Sequence, residues 1–190
     1  DIVDEQGQPT GEIISRTLAH TKGIRHRTAH IWIVCRKNEH FQVLMQKRAM
    51  SKDSFPGKYD TSSAGHIQAG DEPLASGLRE LAEELGIHAK PEDLAFAGCI
   101  HGSFAEEFHG KIFRDNEIAF VYVYQQPVDI ETLVLQKEEV ESVRWFDLEE
   151  TYQQCRQHRD KFCVPLGGLQ LVREFIKNNN NNEYKGEKQS

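Results

Sequence analysis

Glu80, Glu83 and Glu84 stand at spacings i, i+3 and i+4 within residues 65–87, GHIQAGDEPLASGLRELAEELGI. On a helix of 3.6 residues per turn they cluster on one side, while Leu74, Leu78, Leu81, Ala82 and Leu85 fall on the other. Like charges at this spacing cost an isolated helix about a few tenths of a kcal/mol, so something must offset them. Arg79, four residues before Glu83, can pair with it and fix its rotamer. A hard divalent cation such as Mg2+ or Mn2+ would take the remaining carboxylates as oxygen ligands. The backbone carbonyl of Gly65 is a further candidate ligand, at a position where a side chain would obstruct close approach. A metal held there inverts the local sign of an acidic site, which leaves small phosphorylated ligands open to it. A bare pair of glutamates is more often a solvated helix face, so the longer pattern has to decide. The helix ends are also readable: Asp71 or Glu72 can cap the start, Pro73 follows, and Gly86 supplies the left-handed residue that stops it.

The order Gly65, Arg79-Glu80-Leu81, Glu83-Glu84, Gly86-Ile87 resembles the signature box of the Nudix hydrolase superfamily. A chance match of six fixed residues is on the order of 10⁻⁷ per starting position at average residue usage. The resemblance, which covers roughly residues 28–160, implies an α/β/α sandwich with a mixed β-sheet and a loop-helix-loop catalytic motif. It implies that Gly65, Glu80, Glu83 and Glu84 hold one to three Mg2+ or Mn2+ ions on the diphosphate of a small metabolite, and that water attacks phosphorus. Glu80 and Glu117 are the candidate proton acceptors. Asp71 stands where the family usually has Glu, in a loop or outer role, and Arg79 orients Glu83.

A second resemblance is narrower. Arg48-Ala49, Ser51-Lys52, Pro56-Gly57, Tyr59, Ser63 and Gly65-His66 look like the matching stretch of isopentenyl diphosphate isomerases, which share the fold. In those enzymes three histidines and two carboxylates bind a metal, and a cysteine does the proton chemistry. By position His26 and His66 match two of the histidines, His20 matches the third if one residue is deleted, and Asp115 and Glu117 match the carboxylates. These five are candidates for a second metal site, since imidazole suits transition metals better than Mg2+. The cysteine position is Ala64, whose methyl group can neither give nor accept a proton. That loss, with the intact run at residues 79–84, favours a hydrolase over the alternative, an isomerase acting on a prenyl diphosphate. Arg48 and Lys52 are candidates to clamp a diphosphate. His30, His40, His88, His101, His109 and His158 read as surface residues, and Cys35 and Cys99 as small buried hydrophobes.

The elements that must position these groups follow from periodicity. Residues 28–36, 41–47, 94–104, 117–124 and 141–146 read as strands. Helices are expected after Asp147 to about residue 157 and over residues 165–176. Residues 1–27 read as an N-terminal β-hairpin and an irregular connector, 28–177 as the catalytic domain, and 178–190, with five consecutive asparagines, as a disordered tail. Two segments, 48–64 and 105–116, read as loops that select the substrate. Phe104, Phe108 and Phe113 pack a lid there more readily than they stack a base. The net charge of -7 argues against nucleic acid. The four scattered cysteines and the lack of a membrane-length apolar run predict a cytoplasmic protein with no membrane partner. The N-terminal hairpin offers an edge for a homodimer.

Overall fold

The computed structural model describes residues 1–186, with side chains through 179. Helix α1, Arg16–Lys22, comes first, followed by strands β1, His26–Lys37, β2, His40–Arg48, β3, Tyr59–Asp60, and β4, Ser63–His66. The box helix is α2, Pro73–Leu85; then come β5, Leu94–Phe108, β6, Lys111–Tyr124, β7, Val140–Asp147, and helices α3, Leu148–Gln157, and α4, Leu166–Gly186. The strands form one sheet in the order β3-β2-β1-β6-β5, with β4 paired to β1 and β7 to β2. It is mixed: β1 runs parallel to β6 and antiparallel to β2 and β4. Along one edge β1 changes partner, from β4 at Thr28 to Ile31 to β2 at Val34 to Lys37, so the sheet forks there.

Side-chain alternation along β1 builds two cores. Ala29, Ile31 and Ile33 face α2 and bury Leu44, Leu81 and Leu85. Trp32 and Val34 face the other way, onto Val43, Met45, Leu148, Leu169 and Val172 from β2, α3 and α4. Each fully buried leucine contributes roughly 1.5–3 kcal/mol. The helices thus cover both sheet faces, which is the sandwich expected from the sequence.

Three local expectations are corrected. The connector contains α1, capped by the Ser15 side chain accepting from the Leu18 backbone N–H and stopped by left-handed Gly23; seven residues are too few to display a helical period. Residues 105–116 are not a loop. They are the far end of the β5–β6 hairpin, closed by His109-Gly110 with φ of 51° and 75°, the two positive values that a tight primed turn requires. This end projects beyond the core, so no apolar alternation marks it. At the N-terminus Val3 bridges Pro9 and the Ile2 N–H donates to the Glu12 carbonyl, a fold-back without regular strands. Helix α4 runs to Gly186, and the end of the expected disordered tail, 187–190, lies outside the described residues. Among the described residues no helix is long and apolar enough to cross a membrane.

Candidate active site

Helix α2 starts at Glu72, whose side chain makes no capping bond, and ends at left-handed Gly86, φ 70°. Its buried stripe leaves the three glutamates in three different environments. Glu83 is 52 % exposed in its side chain. Glu80 is half-buried and salt-bridged to Arg79 at 2.8 Å, and Arg79 also reaches Glu83 at 3.4 Å and donates to the His66 carbonyl. Glu84 is 5 % exposed and accepts from Gln46 Nε2 at 3.2 Å and from the Ala64 N–H at 3.1 Å. Burial pushes the Glu84 carboxyl up to about 7, and it also raises Glu80 against the pull of Arg79. A Cβ added to Gly65 would overlap the Glu80 carboxylate carbon, so only glycine lets that carboxylate press against the β4 backbone.

Glu80, Glu83 and Glu84 face a cavity of about 540 Å³ that is also lined by Gly65, Arg48, Lys52, His20, His66, Asp115 and Glu117. The sequence-derived candidates therefore converge, with His26 beside them and Asp71 apart. Asp71 lies outside the cavity lining, where its carbonyl accepts from Arg27. Arg48 is held by Asp60 at 3.0 Å and by Ser54, and Lys52 is paired with Glu139, so each cation already has an anionic partner. Burial lowers the Lys52 pKa.

A second group of ligand-type side chains occupies the other end. His20 from α1, His26 from β1 and His66 from β4 bring one nitrogen each within 4.8 Å of one another, and one His26 nitrogen lies within the same distance of a carboxylate oxygen each of Asp115 and Glu117. His20 Nε2 and His66 Nε2 are 3.0 Å apart, and Asp115 Oδ1 is 3.6 Å from both His20 and His26. Among the described residues, His26 Nε2 and Asp115 Oδ1 are buried with no hydrogen-bond partner. Orphaned buried polar atoms are uncommon, and two facing each other fit a cation between them. Burial, then neighbouring histidines and Arg16, lowers His66 to about 2 and His20 to about 4, so both are neutral at pH 7. Burial and then the Glu117 charge raise Asp115 to about 6.

Glu117, on β6, is 13 % exposed in its side chain. Gly102, opposite it on β5, leaves room: an added Cβ would lie 3.2 Å from Glu117 Cγ. Its Oε2 accepts from Thr28 Oγ1 at 3.0 Å, and burial pushes the carboxyl up to about 7. His30, expected at the surface, is 6 % exposed, with Nε2 3.2 Å from Thr28 Oγ1 and 3.6 Å from Glu117 Oε1. The signal that finds it is period two: His26, Thr28 and His30 alternate onto one face of β1. Phe113 stacks on the His20 ring at 4.1 Å, and Phe55 joins Phe104 and Phe108, so these phenylalanines pack as a wall of the cavity. Cys99 is exposed and Cys35 partly so, contrary to the buried reading.

The NUDIX domain family matches residues 24–163. The chain is 41% identical over 150 residues to an uncharacterized Nudix hydrolase of Clostridium acetobutylicum, covering 79% of this chain and 70% of that one. It is 38% identical over 167 residues to Nudix hydrolase 3 of Arabidopsis thaliana, covering 87% of this chain but only 21% of that protein. An isopentenyl-diphosphate Delta-isomerase of Streptomyces avermitilis is 28% identical over 128 residues, 67% of this chain and 62% of that one. Among solved structures, the Deinococcus radiodurans protein DR0079 superposes with a TM-score of 0.63 at 18% identity, covering 91% of this chain and 96% of that one. A glutamate-bearing helix packed on a glycine strand in this fold, matched across most of the chain, places it in the Nudix hydrolase family, enzymes that act on phosphorus-containing acid anhydrides.

Proposed function

We propose that the protein is a Mg2+- or Mn2+-dependent hydrolase that cleaves the diphosphate linkage of a nucleoside diphosphate derivative or similar small metabolite by attack of water on phosphorus. The observation that carries this reading is the Glu80 carboxylate pressed on Gly65 beside Glu84, three groups that offer a hard cation oxygen donors on one wall of the cavity. A cation held there by Glu80, Glu83, Glu84 and the Gly65 carbonyl neutralises phosphate oxygens and lowers the pKa of water. Arg79 fixes the rotamers of Glu80 and Glu83. Lys52 lines the same cavity but is paired with Glu139, so it reaches a phosphate oxygen only by exchanging that partner. Glu117 is the better proton acceptor than Glu80: it lines the same cavity, and no arginine neutralises it. His20, His26, His66 and Asp115 hold a second, softer cation, for which the facing orphaned atoms speak.

Isomerisation of a prenyl diphosphate is the weaker reading. Ala64 lies directly across β1–β4 from His30, so a methyl group stands where the isomerases need a proton donor. A panel of nucleoside diphosphates and triphosphates, nucleotide sugars, dinucleotides and isopentenyl diphosphate, assayed for cleavage with and without Mg2+, tests both. Metal-dependent release of a phosphoryl product from at least one member is expected. Conversion of isopentenyl diphosphate to its isomer, with no phosphoryl product from any member, would overturn the hydrolase reading.

A further inference from the structure

Glu117 is surrounded by two polar side chains that neither family pattern nor spacing assigns. Thr28 and His30 lie on the same face of β1, two residues apart, and both line the cavity with Glu117. A threonine hydroxyl has one hydrogen to give. With Glu117 ionised that hydrogen goes to Oε2 at 3.0 Å, so the Thr28 oxygen can only accept at its other contact, 3.2 Å away at His30 Nε2. The chain of bonds therefore fixes the neutral histidine as its Nε2–H tautomer. Among the described residues His30 Nδ1 is buried with no partner, a loss that an apolar side chain at this interior position would avoid. Packing alone does not account for a histidine here.

We propose that Thr28 and His30 are positioning residues for Glu117: His30 Nε2–H donates to Thr28 Oγ1, whose hydroxyl donates to Glu117 Oε2, so that the carboxylate is held in one orientation to receive the proton of the attacking water. The inference rests on the reading of Glu117 as proton acceptor. In the step itself a water O–H bond breaks as the oxygen–phosphorus bond forms, the proton passes to Glu117, and the phosphorus–oxygen bond to the leaving group breaks. Thr28 and His30 undergo no net change. Gly102 leaves the space that the Glu117 side chain occupies, and the Thr28 hydroxyl holds it there.

The test uses the full chain, the best substrate of the diphosphate panel and saturating Mg2+. Thr28→Val removes the hydroxyl at nearly constant volume and is expected to lower kcat by about 10- to 100-fold, with KM and the melting temperature little changed, since positioning acts in the transition state. Thr28→Ser restores the hydroxyl and is expected to return kcat to within about threefold of wild type, which a packing role would not require. His30→Gln, which keeps an N–H donor, should retain more activity than His30→Leu. On a Glu117→Gln background Thr28→Val should add less than about twofold, because residues acting as one unit are not additive. The proposal fails if Thr28→Val keeps wild-type kcat while Glu117→Gln loses it, if Thr28→Ser does no better than Thr28→Val, or if the two losses multiply. If Glu117→Gln itself keeps wild-type turnover, the assignment of Glu117 as proton acceptor falls, and this pairing falls with it.

Discussion

Glu84 illustrates how position divides the labour among three glutamates of one helix. Spacing alone sets them on a common side, yet Glu84 is buried beneath Gln46 and the Ala64 N–H while Glu83 stays half in solvent. Without a cation Glu84 titrates near 7 against an ordinary 4.5. The folded state then binds more protons than the unfolded chain between those values, so the stability Glu84 contributes is present below about pH 4.5 and is lost as pH rises through about 7. A divalent cation competes with that proton. The gain in melting temperature caused by Mg2+ should therefore increase steadily from pH 5 to pH 8, measured by thermal melts with and without the metal. A gain independent of pH would mean that the ion binds elsewhere. The identity and spacing of the carboxylates were legible in the chain; the burial of Glu84 was not, because the residues that cover it come from β2 and β4.

At the scale of elements, the site depends on short pieces that hold side chains against one another. Strand β4 has four residues and brings Gly65 under Glu80 and His66 under His20. Gly65→Ala must displace the Glu80 carboxylate. A displacement of about 1 Å in a catalytic group costs on the order of 10²-fold in rate, so kcat/KM should fall by about that factor while the circular dichroism spectrum is unchanged. Helix α1 carries His20 and depends on its Ser15 cap. Ser15→Ala should cost about 1 kcal/mol locally, and it should weaken Zn2+ or Mn2+ binding at the histidine cluster, followed by calorimetric titration, without altering Mg2+ affinity at α2. Equal weakening at both would contradict two separate sites. Long apolar strands and the box helix could be read directly, since their periods repeat. Helix α1 and the outer half of the β5–β6 hairpin could not, because a seven-residue helix and a hairpin end outside the core leave no repeat to read. That hairpin nevertheless carries Asp115 and Glu117 to the histidines, and Phe113 onto His20.

For the molecule as a whole, a chain of net charge -7 gathers its acidic side chains from α2 and β6 around one cavity. An anionic substrate can enter such a site only if cations first reverse the local sign. The fork in the sheet, where β1 leaves β4 and takes up β2, sets Glu84 at one wall, and the parallel pairing of β1 with β6 sets Glu117 opposite His26 at the other. The phenylalanine wall formed by the loop before β3 and the β5–β6 hairpin stands over both. Substrate choice was not legible from composition because it depends on how these two segments meet.

The central claim is that the α2 carboxylates hold the cation that makes diphosphate cleavage run. The most direct measurement is the steady-state rate of Glu83→Gln against wild type, over a range of Mg2+ concentrations, on the best diphosphate of the panel. The account predicts a loss of about 10²–10³ in kcat with the fold intact and with Mg2+ saturation shifted to higher concentration. Near-normal turnover with unchanged Mg2+ dependence would contradict it.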